Sequence, residues 1–397
     1  MGPAPLTTAQ HASAAEDWRN AGFGLYIHWP FCAAKCPYCD FNSHVVSRID
    51  EDDWAGAYLA EIDRIAALTG DRILHSVFFG GGTPSLMSPA LVARVLDRVS
   101  RRFRLRNDIE ITLEANPTSS DAARFQGFAD AGVNRFSLGF QALDDDDLHR
   151  LGRLHSAADG LRAYEAARSA VARVSFDLIY ARQGQGIDAW QAELSRALDL
   201  GPDHLSLYQL TIEDGTVFAE RHRRGLLRGL PDEDTAATLY EMTAEACAAR
   251  NLMGYEVSNF AYEGAESAHN LIYWRSGDFA GIGPGAHGRL TIGENRLATE
   301  AIRAPFQWLD AVRQKGIGDL ALVPLDREEQ GMELLLMGLR LAEGVSLTRF
   351  QTLTGTMPLG EKLDDLSRSG HLWQRGERIG ATLRGRMVLN SLIAEIV

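Results

Sequence analysis

The stretch Leu25-Tyr-Ile-His-Trp-Pro-Phe-Cys32-Ala-Ala-Lys-Cys36-Pro-Tyr-Cys39 sets three cysteines on a loop directly behind a short β-branched and aromatic run. Three thiolates at this spacing can wrap three corners of a 4Fe–4S cubane and leave the fourth iron without a protein ligand. An open iron can chelate the amino and carboxylate groups of S-adenosylmethionine (SAM). Its sulfonium then lies beside the cluster, where one electron cleaves a C–S bond and yields an adenosyl radical. A zinc site is the alternative reading of the triplet; it needs a fourth Cys or His to close its tetrahedron, and His44 is the nearest. The remaining cysteine, Cys247, stands apart on an apolar helical face and reads as a buried thiol. Three of four cysteines crowded together suit metal ligation in a reducing, cytoplasmic compartment rather than an extracellular disulfide framework.

Further runs of strand type follow that of Leu25–Trp29: 76–79, 109–113, 135–138, 174–178 and 204–208. Between them lie segments with helical spacing of Leu, Ala and Ile, at 52–68, 89–103, 119–131, 158–171 and 188–200. Alternating strand and helix implies parallel strands joined by right-handed crossovers, hence an α/β sheet or barrel. After a further helix at 235–250 the texture turns Gly- and aromatic-rich. The expected division is a loose leader over 1–20, a barrel over 21–254, a connecting region over 255–323 and a mainly helical domain over 324–397, whose segment 328–341 is strongly amphipathic.

The chain has 397 residues, 45% of them hydrophobic, which is enough for one large core and a smaller unit. Its formal net charge of −13 works against a broad phosphate-binding surface, so nucleic acid is excluded as the main partner. The first twenty residues lack a basic segment followed by an apolar core, and no apolar run is long enough to span a bilayer, so a membrane-spanning protein is not expected.

Several chemistry-bearing residues fall at the carboxyl ends of the expected strands, the rim where barrels keep their chemistry. Gly80-Gly-Gly-Thr83 follows the second run and offers backbone amides with no side chains in the way. Glu114 closes the third run and can accept hydrogen bonds from ribose hydroxyls, and Gln141, Arg153 and Asp177 come from the next strand ends and loops. Taken singly, a glycine triplet is a tight turn and an Arg or Asp a solvated charge. The acidic run Asp144–Asp147 reads as a helix start favoured by the dipole.

With these residues in view, the chain resembles the radical SAM family of oxygen-independent coproporphyrinogen III oxidase-like proteins. The resemblance rests on Tyr26-Ile-His-Trp-Pro-Phe-Cys32, Cys36-Pro-Tyr-Cys39-Asp-Phe41, Gly80-Gly-Gly-Thr-Pro84, Leu113-Glu-Ala-Asn-Pro117, Gly139-Phe-Gln141, His269-Asn-Leu-Ile-Tyr-Trp274 and Gly338-Leu-Arg340. It implies an incomplete (β/α)6 TIM-like radical SAM barrel with a C-terminal mainly helical domain. It also implies a cluster on Cys32, Cys36 and Cys39, and SAM contacts from Tyr26, Tyr38, Gly81, Gly82, Thr83, Glu114, Gln141, Arg153 and Asp177. Gln209 is a fainter candidate. One departure is present: where the family usually continues Gly-Leu-Pro after Tyr180, this chain has Ala181-Arg-Gln-Gly184.

Within the family the resemblance is to the branch of heme chaperones, because the leader is short, Phe41 stands where the oxidases carry a further cysteine, and His269-Asn-Leu-Ile-Tyr-Trp274 is similar to that branch's heme-binding motif. On that reading the cofactors are a 4Fe–4S cluster, SAM and heme. The partners are apo-hemoprotein acceptors, met at the cytoplasmic membrane face. His269 would ligate heme iron while Tyr273 and Trp274 lie against the porphyrin; His287 is a second candidate ligand. A hydrogen-bonded loop histidine with two packing aromatics is the plainer alternative. The enzymatic alternative is oxidative decarboxylation of coproporphyrinogen III to protoporphyrinogen IX.

Overall fold

The alternation in Phe23-Gly-Leu-Tyr-Ile-His-Trp29 decides the architecture once it is repeated from strand to strand. In the computed structural model, which describes residues 14–119, 121–358 and 360–396, Leu25, Ile27, Val77, Phe79, Leu113, Phe136, Leu138, Phe176, Leu178 and Leu205 are fully buried. They form one continuous apolar face beneath the helices. The intervening residues, mostly smaller or polar, line the other face, because successive side chains of a strand point to opposite sides.

Chain order is β1 (Phe23–Trp29), α1 (Glu51–Thr69), β2 (Ile73–Gly81), α2 (Pro89–Arg102), β3 (Arg104–Ala115), α3 (Ala122–Asp130), β4 (Arg135–Gln141), α4 (Asp145–Arg150), α5 (Ala157–Ala170), β5 (Arg173–Tyr180), α6 (Ile187–Asp199), β6 (His204–Gln209), α7 (Val217–Arg223) and α8 (Glu233–Ala248). Strands β1 to β6 pair in sequence, all parallel. Short polar side chains start the helices. Ser88, Asp121 and Asp232 accept from the first-turn amides, and Ser156 with Asp159 makes a reciprocal capping box. This is the expected (β/α)6 order, and it remains open: β6 pairs on its far side with an antiparallel strand, not with β1.

The region 255–323 does more than connect. After β7 (Met253–Gly254) come β8 (Asn259–Ala261), α9 (Ala268–Trp274), β9 (Asp278–Ile282), β10 (His287–Ile292), β11 (Asn295–Ala301), α10 (Pro305–Lys315) and β12 (Asp319–Pro324). All of these strands join the barrel sheet, which runs β12-β11-β10-β9-β1-β2-β3-β4-β5-β6-β8-β7. Strand β9 lies parallel to β1, with Phe23 opposite Asp278 and Ile27 opposite Ile282. Helix α10 packs on α1, where Trp308 stacks on Trp54 with ring centroids 5.6 Å apart. These strands are short and interrupted by glycine, so the sequence pattern conceals them.

The C-terminal unit comprises α11 (Arg327–Gly338), β13 (Val345–Ser346), α12 (Leu347–Thr354), α13 (Gly360–Arg368), β14 (Leu372–Arg375), β15 (Arg378–Ala381), α14 (Leu383–Met387) and α15 (Leu389–Ile396). It is mainly helical around its own core of Leu334, Leu339, Phe350, Ile379 and Leu392. Ion pairs tie it to the barrel, Glu333 to Arg289 at 2.6 Å and Glu343 to Arg275 at 2.7 Å. The expected leader divides: residues 1–13 lie outside the described residues, whereas Ala14–Asn20 form a 3-10 helix whose Asp17 carboxylate receives two hydrogen bonds from Arg349, at 2.7 and 2.6 Å.

Candidate functional site

Strand register stacks the inner-face residues in rows. Gly24, Ser76 and Glu110 face one another across β1, β2 and β3; Tyr26, Phe78 and Thr112 form the next row; His28 and Gly80 lie above it. On the other side Glu114 faces Ser137 and then Ser175, while Asp177 faces Gly139 and Ser206 one row nearer the rim. The barrel interior is therefore largely polar, and the two rows nearest the carboxyl rim hold the carboxyls of Glu114 and Asp177.

The cysteine loop leaves β1 at this rim. Cys32, Cys36 and Cys39 are free and half-exposed. Cys32 N–H donates to the His44 carbonyl at 2.9 Å, and Phe218 N–H donates to that of Pro37 at 2.9 Å, so the loop is anchored at both ends. Gly152 sits beneath it with φ +71°; a Cβ there would meet Pro37 Cδ at 2.6 Å. Thr83 Oγ1 donates to Cys32 Sγ at 3.3 Å and Arg153 Nη1 to Cys36 Sγ at 3.5 Å. Burial pushes the Cys32 and Cys39 thiols up, so metal binding there releases protons. Arg153 Nε is buried without a partner, a cationic donor in reserve beside sulfur. This donor set fits an iron–sulfur cubane, each thiolate on its own iron. The zinc alternative needs ligands converging on one ion. Among the described residues no three His, Cys, Asp or Glu side chains do so, and His44 Nε2 lies 3.1 Å from Asn42 Oδ1.

The residues expected to meet SAM gather around this loop, with one correction of role. The amides of Gly81, Gly82 and Thr83 are already used: Gly81 N–H donates to Glu114 at 3.3 Å, Gly82 to Trp29 O at 2.7 Å and Thr83 to Phe31 O at 2.8 Å. The Gly82 and Thr83 amides are thus committed to backbone carbonyls, and that of Gly81 to a side chain. The glycines are needed for close approach instead: Gly81 has φ +108°, and a Cβ on Gly82 would meet Phe31 O at 2.6 Å. Tyr26 lines the interior with its hydroxyl 3.1 Å from His28 Nδ1, and Tyr38 packs beneath the loop against Phe218. Gln141 holds a left-handed backbone, φ 74°, where the β4–β5 ladder slips. A non-glycine residue in that region stores strain, as residues at binding sites often do. Arg153 Nη2 donates to Gly139 O at 2.8 Å. Gln209, at the end of β6, is exposed.

Two carboxyls in this wall, Glu114 and Asp177, have no cationic partner within salt-bridge distance among the described residues. Burial and the neighbouring Asp177 push Glu114 up to about 8, against the Gly81 amide. Burial pushes Asp177 up to about 6, although Ser206 and Ser137 hydroxyls favour its charged form. A ligand bringing positive charge and hydroxyls would relieve both. The departure Ala181-Arg-Gln-Gly184 leaves Asp177 in place: Arg182 is buried and pairs with Asp147 at 2.7 Å and Glu193 at 2.6 Å, pinning the loop after β5. Asp147 is thus an ion-pair partner, while Asp144 is the helix cap. Cys247 is fully buried on α8, its thiol pushed up to about 12 by burial.

His269 requires the second correction. Helix α9 enters the barrel interior, and His269, 1% exposed, sits on the Gly24–Ser76–Glu110 row. Its Nδ1 lies 2.7 Å from Ser76 Oγ and its Nε2 2.6 Å from Tyr273 Oη. Burial pushes the ring down to about 3, so it is neutral, with one donor and one acceptor nitrogen, each matched by a hydroxyl. Neither nitrogen is free for iron. Glu110 receives the His269 amide at 3.3 Å and pairs with Arg135 at 3.0 Å. Burial would raise this carboxyl, but Arg135 and the α9 amides outweigh it and hold it below the ordinary range.

The aromatic end of the same motif faces elsewhere. A cavity of about 540 Å³ opens between the barrel rim and α11, walled by Tyr26 and Glu114 on one side and by Tyr273, Trp274, His287 and Met337 on the other. Sequence reasoning missed Ser76, Glu110, Arg135, His28 and Asn42; the first four are inner-face polar positions in strands, which strict alternation would have exposed.

The Radical SAM superfamily model matches residues 26–195 and the HemN C-terminal domain model residues 325–388. The mouse protein (Mus musculus) "Radical S-adenosyl methionine domain-containing protein 1, mitochondrial" is 40% identical over 94% of this chain and 87% of its own length. "Heme chaperone HemW" of Escherichia coli is 36% identical over 93% of this chain and 96% of its own length. The chain belongs to the HemW family of radical SAM proteins. A HemW-family protein of Bacillus subtilis with the same name is 34% identical over 92% and 97%. The crystallised E. coli coproporphyrinogen III oxidase (HemN) superposes with a TM-score of 0.80 at 20% identity, covering 96% of this chain and 92% of that one, which establishes the shared fold.

Proposed function

We propose that this HemW-family chain is a heme chaperone: it binds heme and passes it to apo-hemoproteins. The likeness to proteins named heme chaperones over nearly the full length of both chains carries this reading. The aromatic-walled cavity beside the cysteine rim supports it, since ligand sites of this kind span about 300–1,000 Å³. Cys32, Cys36 and Cys39 would hold the cluster, and Tyr26, Tyr38, Thr83, Glu114, Gln141, Arg153 and Asp177 would surround SAM. The bound cluster would supply a single electron, and Thr83 and Arg153 would set the charge felt by its sulfurs. Among the described residues no helix is long and apolar enough to cross a membrane; hand-over at the cytoplasmic membrane face is part of the proposal, with the mitochondrial designation of the mouse relative as its counterexample.

The rival is decarboxylation of coproporphyrinogen, favoured by the shared fold alone. Anaerobic reconstitution followed by hemin titration and mixing with an apo-hemoprotein separates the two. The chaperone reading expects a stoichiometric Soret band that moves to the acceptor. Conversion of coproporphyrinogen to protoporphyrinogen with SAM and a reductant, without heme transfer, would replace it.

A further inference from the structure

Resting on the heme-chaperone reading, we infer that heme is held in the cavity beneath α11, with His287 supplying the iron ligand and Arg303 pairing a propionate. The cavity needs a histidine because His269 has spent both ring nitrogens inside the barrel. His287 lines the cavity, is exposed, and makes no side-chain hydrogen bond or ion pair among the described residues. A neutral imidazole with a free nitrogen is the commonest protein ligand for heme iron. Arg303 lines the same cavity, is exposed, and has no carboxylate partner among the described residues. Its guanidinium is suited to a bidentate grip on a propionate.

The rest of the lining suits a flat apolar ligand in this place. Ser276 and Trp274 also line the cavity, with Ser276 only 7% exposed. Tyr273, Trp274 and Phe279 provide flat apolar surface for a macrocycle.

The site is also built to hold still and to feel the cysteine loop. The backbone before His287 is close-packed at two glycines: a Cβ on Gly281 would meet His287 O at 2.1 Å, and one on Gly285 would meet Asn42 Nδ2 at 2.5 Å. Asn42, three residues after Cys39, donates through Nδ2 to Pro284 O and to Arg303 O, each at 2.9 Å. Asn42 is therefore a positioning residue that ties both heme contacts to the cysteine loop.

The test is hemin titration of the full reconstituted chain, read by Soret position, electron paramagnetic resonance and affinity. His287→Ala should weaken binding at least about tenfold, and His287→Tyr should convert the iron to a phenolate-ligated spectrum, which no merely structural role would produce. Arg303→Ala should weaken binding several-fold without moving the Soret band, and Asn42→Ala should do so with a broadened spectrum. His269→Gln, which keeps a donor and an acceptor, should bind heme with the wild-type spectrum. Wild-type-like binding by both His287 variants would overturn the inference while leaving the chaperone reading intact. Failure of the wild-type chain to bind heme would remove both.

Discussion

The cysteine loop and helix α9 each carry donor atoms in a motif, yet the fold treats them oppositely. On the loop three thiols stand half-exposed at the carboxyl rim, contacted by one hydroxyl and one guanidinium. On α9 the imidazole is carried into the barrel and each nitrogen faces a hydroxyl. The first region is an open donor set and the second a closed hydrogen-bond network. A donor becomes a ligand only where the fold leaves its lone pair unspent. Motif spacing reports which donors are neighbours, not which are spent.

The largest effect that would break this comparison is at the loop. Cys36→Ala should abolish cluster binding, measured as iron and sulfide content after reconstitution, while leaving the melting temperature of the unreconstituted chain unchanged. A large drop in that melting temperature would show the loop to be structural as well. Next in size, His269→Ala should leave Ser76 and Tyr273 unpaired inside the barrel and cost about 2–4 kcal/mol in denaturant unfolding, with cluster content retained. Near-zero cost would mean that the interior rows are not the support described above.

The smallest effect sharpens the chemistry of the rim. Glu114, raised from 4.5 to about 8, keeps its proton in the folded chain at pH values where the unfolded chain has released it. Its contribution to stability is therefore fully present below about 4.5 and is lost as pH rises through about 8. Glu114→Gln removes that titration, so the variant should gain on the wild type by roughly 1–3 °C between pH 5 and pH 8.5. A pH-independent difference would show that Glu114 is not held against its charge, and added SAM should narrow the gap.

Much of the barrel was legible because local rules and tertiary packing agree there. All six barrel strands and the long helices lie within a few residues of their expected positions, and the cysteine loop, Glu114, Gln141, Arg153 and Asp177 converge on one rim as parallel strands require. Less legible were the strands of residues 255–323. Asn259–Ala261 and Asp278–Ile282 are too short or too glycine-rich to show a period, and they become strands only because β6 and β1 offer unpaired edges. The glycine triplet lies at the rim after β2, and the direction of its amides depends on which chain segment lies alongside.

What the sequence by itself determined is the alternation that makes six parallel strands with a buried outer face, the spacing of Cys32, Cys36 and Cys39, and the separate helical C-terminal unit. Those follow from short-range chemistry: side-chain period, helix caps and the reach of the eight-residue segment Cys32–Cys39. The tertiary structure alone decided that His269 turns inward and His287 outward, that Asn42 bridges the cysteine loop to Arg303, and that α11 roofs a cavity. Each of those depends on residues tens to hundreds of positions apart being brought within hydrogen-bond distance, and no local pattern encodes whether a lone pair will find its partner there.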